Sequence, residues 1–270
     1  MRTRVISDLH LGHGASRLKS PEMLRPILEE VDHLILAGDV WQQRKVGRGR
    51  AEAQAMYEEL LTLAEQRGIN VEVLRGNHDP EGGKGVTWLA EKSILVSHGD
   101  AVYDEATPWS REMGKHRKEV EAIVKKYEPQ SHLAAACADR AREIALALKV
   151  LPLPKLPVPF NFFATALWPP SRTFEMLRVW RGMGRQGLRF LENSGEGASV
   201  LICGHFHQAG IWEGAGKLFI NTGSFMKGSR PWAVDLNHGE LTDHGKLTAR
   251  ELSLGGAEFR LGEVKGRWLL

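Results

Sequence analysis

"SVLICGHFHQ", residues 199–208, is an apolar run that stops at two histidines flanking one phenylalanine. A continuous Val/Leu/Ile run is what a strand buried on both faces looks like. Residues two apart on an extended chain face the same side, so His205 and His207 are expected to aim at one region just beyond a strand end. The same form recurs upstream. "RVIS" (4–7) runs into Asp8 and His10, "HLILAG" (33–38) into Asp39, "VEVLRG" (71–76) into Asn77, His78 and Asp79, and "SILVS" (93–97) into His98. Helical patterns lie between these runs, at residues 21–30 and 51–66 among others, and such alternation predicts an α/β fold. Open α/β sheets bind ligands beyond the carboxyl ends of their strands, and every polar residue just named falls there.

The donors are carboxylate and amide oxygens and imidazole nitrogens, with no thiolate. That mixture suits Mn²⁺, Fe or Zn²⁺ better than Ca²⁺ or Mg²⁺, and manganese is the first expectation. There are too many donors for one ion and about enough for two, with Asp39, from a central strand, able to bridge both. Two ions roughly 3.5–4 Å apart clamp the attacking and leaving oxygens of an in-line displacement at phosphorus and lower the pKa of a shared water. His205 and His207 then serve one ion each. The bulk properties are compatible. The chain has 270 residues, a net charge of +3 and two cysteines. That charge is too small to imply a nucleic-acid partner. Cys137 and Cys203 are far apart, which argues against a disulfide framework and for a reducing compartment. "MRTRVISDLH" reads as a strand with no hydrophobic leader, so a cytoplasmic protein is expected.

The motifs "DLH" (8–10), "GD" (38–39), "GNHD" (76–79), "HG" (98–99) and "GHFH" (204–207), in that order, resemble the signature of the calcineurin-like metallophosphoesterases. The resemblance covers about residues 1–104 and 196–236, including the "FINTGS" strand. It implies an α/β fold, a two-sheet sandwich flanked by helices, and a dinuclear metal-dependent phosphoesterase. Asp8, His10, Asp39 and His207 would hold the first ion; Asp39, Asn77, His98 and His205 would hold the second. His78 would stand beside the scissile phosphate as electrostatic partner or proton donor, with Asp79 orienting it and favouring its charged form. Asp79 also suits a turn before Pro80. His13, His33, His116, His132, His238 and His244 fit no ligand spacing.

The gap between His98 and His205 is far longer than a simple crossover needs. Residues 105–195 are therefore expected to form a mainly helical cap inserted into a core of 1–104 and 196–270. Helices are expected over 110–128 and 131–149. The stretch 150–170 holds half of the prolines with Phe160, Phe162, Phe163 and Trp168, and its prolines exclude a continuous membrane-spanning helix. Beyond it, Arg178, Arg181, Arg185 and Arg189 project as one stripe opposite an apolar half. This stripe reads as a solvated face, as a contact for anionic lipid head groups or as one for a nucleic-acid backbone. Trp41, Arg44 and Lys45, in the loop after Asp39, are candidates to hold a second phosphate or an anionic head group.

The insertion, "SDLHLG" and "NTGSF" resemble the UDP-2,3-diacylglucosamine hydrolase-like branch, whose defining enzyme carries arginine where this chain has His78. That resemblance implies a nucleotide-linked or lipid-linked substrate, acylated in the branch, a role in lipid A biosynthesis and peripheral contact with the inner face of a membrane. The alternatives are a nuclease or cyclic-nucleotide phosphodiesterase, and an inactive scaffold on this fold.

Overall fold

The computed structural model describes residues 1–110, 112–148, 170–237 and 245–270. The proline-rich stretch 150–170 lies outside the described residues up to position 169, with Phe160, Phe162, Phe163 and Trp168, as do His238 and His244. Two sheets face each other. In the first, β1 (Arg2–Ile6), β2 (His33–Ala37) and β3 (Asn70–Leu74) run parallel, and β9 (Trp232–Asn237), β10 (Lys246–Gly255) and β11 (Glu258–Leu269) extend it antiparallel in the order β11-β10-β9-β1-β2-β3. The second has the order β4-β5-β6-β8-β7, built from β4 (Val86–Leu89), β5 (Ile94–Ser97), β6 (Val200–Cys203), β7 (Gly210–Gly214) and β8 (Lys217–Asn221). Its centre, β5-β6-β8, is parallel.

The period of two along each strand sorts side chains into separate cores. Ile35 and Ala37 of β2 and Val200 and Ile202 of β6 meet between the sheets. Leu34 and Leu36 face the other way, onto α1 (Arg48–Glu65) and a 3₁₀ helix (Pro21–Ile27). Leu201 and Cys203 face a layer made by α2 (Met113–Tyr127), α3 (Ala134–Ala147) and α4 (Pro170–Ser194). Every central strand is thus covered on both sides, which is why these strands read as unbroken apolar runs. The helix expected at 21–30 forms as a 3₁₀ turn because Pro21 opens it and Pro26 lacks the N–H that an α-helix interior requires. Arg4, fully buried, binds both carboxylate oxygens of its cross-strand partner Asp235 at 2.6 and 2.9 Å and so ties β1 to β9. Both cysteines are buried and free. No helix among the described residues is long and apolar enough to cross a membrane.

Candidate metal centre

The carboxyl ends of β1, β2 and β3 in one sheet and of β5 and β6 in the other open onto the same edge of the sandwich. The loops there are stitched together: Asp8 N–H donates to Gly38 C=O at 3.1 Å and His10 N–H to Asp39 C=O at 2.9 Å. Asp8, His10, Asp39, His205 and His207 all hold positive φ, between 50° and 71°. Left-handed backbone costs a non-glycine residue about 1–2 kcal/mol, and strain of this kind concentrates at functional sites. Here it turns five side chains inward within two to four residues of their strand ends. Gly38 (φ 80°) passes so close to the His98 ring that a Cβ would lie 2.6 Å from it. A Cβ on Gly204 would overlap the Asp8 carboxylate.

Asp8, His10, Asp39 and His207 each offer one ligand atom, all within 4.8 Å of one another. His10 Nε2 and His207 Nε2 stand 3.0 Å apart, and His207 Nε2 is 3.1 Å from Asp8 Oδ1. Asp8 Oδ1 is buried and accepts no hydrogen bond, whereas Oδ2 accepts the His205 N–H at 2.9 Å. A buried carboxylate oxygen without a hydrogen-bond donor, faced by two imidazole nitrogens, fits a divalent cation.

The second cluster has the same chemistry. His98 Nε2 is 3.1 Å from His205 Nδ1, 3.2 Å from Asn77 Oδ1 and 3.4 Å from Asp39 Oδ1. The far nitrogens are engaged elsewhere. His98 Nδ1–H donates to Ala37 C=O and His205 Nε2–H to Ala106 C=O, each at 3.1 Å. Backbone carbonyls thereby hold a proton on the far nitrogen of each ring and turn the near nitrogen toward the centre, where a cation would replace any proton on it.

Charges in the centre are strained in the direction a cation relieves. Burial, reinforced by Asp79 and Asp8 and only partly offset by His98, raises Asp39 well above the usual carboxylate range. Burial would also raise Asp8, but the neighbouring His207 and His98 imidazoles hold it low. Burial and the neighbouring histidines push His10 and His205 well below the ordinary imidazole value, so both stay neutral, as ligands must be.

His78 lies at the pocket with its Nε2 4.0 Å from Asp39 Oδ2. The expected pairing with Asp79 is not made. The Asp79 carboxylate is spent on backbone, accepting the N–H groups of Val40 (2.7 Å), Gly76 (2.8 Å) and Asp39 (3.0 Å). It is the frame that holds the "GD" loop against the "GNHD" loop. The side chain that positions His78 is Gln42, whose carbonyl accepts from His78 Nδ1 while its amide N–H donates to His10 Nδ1, both at 3.0 Å. Nor is His78 held charged: burial, then the charges of His207, His13, His98 and Arg44, push it down to about 3.

The remaining candidates separate. Trp41 is buried and stacks on Tyr57, with ring centroids 5.6 Å apart, so it belongs to the core and not to a substrate surface. Arg44 donates to the Leu148 carbonyl and Lys45 to the Gly12 carbonyl, which ties their loop down beside the centre. Arg178, Arg181 and Arg185 are exposed on α4, and Arg178 pairs with Glu175 at 2.8 Å. None of the three lines the metal pocket. From α4 that wall is made instead by Met176 and Trp180, joined by Thr107, Trp109 and Phe206. His13, which fits no ligand spacing, packs with its ring 6.1 Å from that of His10.

The calcineurin-like phosphoesterase family model matches residues 1–209, and the chain belongs to that family. It is 30% identical over 121 residues to the DNA double-strand break repair protein Mre11 of Methanopyrus kandleri, a match covering 40% of this chain and 26% of that protein. The chain thus spans about a quarter of the curated relative it matches. Among solved structures it is similar to a dimetal phosphatase from Danio rerio (12% identity, 97% of this chain and 98% of that one, TM-score 0.47). It is also similar to the zinc complex of Vps29 from Entamoeba histolytica (18% identity, 100% and 99%, TM-score 0.43).

Proposed function

We propose that this protein is a metal-dependent hydrolase of phosphoester or pyrophosphate bonds. The observation that carries the reading is the buried Asp8 oxygen without a hydrogen-bond donor, at a point on which histidines and aspartates from both sheets converge. Asp8, His10, Asp39 and His207 would hold one divalent ion and Asp39, Asn77, His98 and His205 a second, manganese first and iron or zinc next. When bound, the pair supplies Lewis-acid activation of the phosphoryl group and of water. The protein's own groups do the rest. Asp79 fixes the loops that carry Asp39 and Asn77. Gln42 holds His78 at the pocket, where the N–H of a neutral imidazole can stabilise a departing alkoxide by a hydrogen bond. An imidazole that gives Nε2 to a cation keeps its proton on Nδ1, so the Gln42 oxygen would then face His10 and its NH₂ group His78. That arrangement leaves the His78 proton on Nε2, the nitrogen nearer the centre.

For the substrate, a nucleotide-linked or lipid-linked phosphoester is our first choice, of the UDP-2,3-diacylglucosamine type if the exposed arginines of α4 meet anionic lipid at an inner membrane face. A second reading, cleavage of DNA phosphodiesters, is favoured by the similarity to Mre11 and by the same exposed Arg181 and Arg185. The test is a manganese-supplemented screen of UDP-diacylglucosamine, CDP-diacylglycerol, single-stranded DNA, cyclic nucleotides and a bis-aryl phosphodiester. Turnover that chelation abolishes is expected for at least one. Tight metal binding with no turnover of any would contradict the reading and leave an inactive scaffold.

A further inference from the structure

The metal pocket has two unlike ends. Around His78 it is polar, with Gln42 and the nearby charge of Arg44. On the side of His205 and Phe206 it is aromatic. Trp109 sets its ring 5.0 Å from that of His205 and 6.4 Å from that of Phe206. Trp180 and Met176 project from one face of α4, a turn apart, and the Trp180 indole N–H donates to the Phe206 carbonyl at 2.9 Å. That bond fixes the indole at the pocket while leaving the residue 38% exposed. Packing of the helix does not require it, since α4 is anchored by Val179, Met183, Phe190 and Leu191. A partly exposed indole held in place by its only polar atom offers its π surface to an incoming group.

Size narrows the choice. The cavity measures about 110 Å³. A cavity of about 150 Å³ takes up benzene, whereas sites for larger ligands run to about 300–1,000 Å³. The enclosed space suits a phosphoryl group, and a ring carried on it would lie across the open mouth of the cavity, against the exposed face of Trp180. We propose that Trp109 and Trp180 form a stacking subsite for a flat ring, a nucleobase or an aryl group, carried on the phosphorus that meets the metals. The subsite sets the substrate class to ring-bearing phosphoesters and rests on the phosphoesterase reading above.

Calorimetric titration of the manganese-loaded protein with methylphosphonate, phenylphosphonate and dodecylphosphonate tests this without turnover. Stacking of one ring on aromatic side chains predicts that phenylphosphonate binds about tenfold or more tighter than methylphosphonate. Trp180→Ala and Trp109→Ala should each bring the phenylphosphonate affinity down toward that of methylphosphonate, and the manganese content of each variant reports whether the centre is intact. Equal affinity for the phenyl and methyl compounds, unaltered in both variants, overturns the subsite while the phosphoesterase reading stands. Tightest binding of the dodecyl compound, lost in the variants, overturns it in favour of an acyl slot. Binding of none of the three removes the phosphate site itself and both readings with it.

Discussion

Replacing Asp79 by alanine separates a backbone frame from a catalytic partner of His78. The carboxylate is 2% exposed and accepts three short hydrogen bonds, from the N–H groups of Val40, Gly76 and Asp39 at 2.7, 2.8 and 3.0 Å, with a longer one from Trp41 at 3.4 Å. Each hydrogen bond to a charged group contributes about 1.5–3 kcal/mol net. Removing a carboxylate buried near Asp39 returns part of that loss, because burial holds Asp79 itself above the usual carboxylate range. The expected cost is about 3–5 kcal/mol. For a chain of this size it lowers Tm by about 6–20 °C. Asp79→Asn, which keeps one acceptor oxygen, should recover about half. Thermal unfolding followed by circular dichroism measures the shift. An Asp79→Ala protein as stable as the parent, yet selectively slow on substrates with poor leaving groups, would refute the frame and restore the pairing with His78.

His78→Ala should keep its metals and lose rate by about 10²–10⁴-fold on poor leaving groups, and less on nitrophenolate esters; equal losses on both would make His78 a positioning residue only. Gln42→Leu unties His78 and His10 together, so metal affinity or rate should fall about 10–100-fold, and unchanged values in both measurements would exclude the bridging role. In the metal-free centre burial pulls the His98 imidazolium down, but Asp39, Asp8 and Asp100 outweigh it and hold it up at about 9, above its ordinary 6.5. The stability it contributes is therefore present below about pH 6.5 and lost as pH rises through about 9. A cation must displace the same proton, so uptake at neutral pH releases it and tightens as pH climbs. Calorimetry in two buffers of different ionisation enthalpy reads this directly, and uptake without proton release would contradict it.

β1, β2, β5 and β6 were legible because each is buried on both faces and ends abruptly in a donor, and the edge strand β3, only partly buried, showed the same ending. β10 and β11 were not. Their hairpin slips register between Ala249 and Arg250 and again between Arg250 and Leu252, and each slip breaks the alternation by which a half-buried strand is read. The metal-ligand candidates could be found because donor type and strand-end position are properties of sequence. Gln42 could not, since a neutral amide in a loop acquires its role only when folding brings two imidazoles to it. On sequence alone Asp79 reads first as the partner of His78 and second as a turn residue, and the choice between a catalytic pair and a backbone role rests on where the Val40 and Gly76 N–H groups point. Trp180 sits far from the motifs in sequence and reaches the pocket because α4 packs on the second sheet, while Trp109 lies in the loop after the "HG" motif with no spacing to mark it. Trp41 looked available for substrate because it follows Asp39 closely, but Tyr57 of α1 covers it.

The central claim is a pair of ions that share Asp39, and the metal content of ligand variants after equilibrium dialysis tests it most directly. The parent chain should hold about two ions, and His207→Ala and His98→Ala about one each. Asp39→Ala should hold none tightly, because its two carboxylate oxygens face the two clusters separately, Oδ2 toward His10 at 3.7 Å and Oδ1 toward His98 at 3.4 Å. A single ion in the parent, or one ion kept at full affinity in Asp39→Ala, would contradict the account.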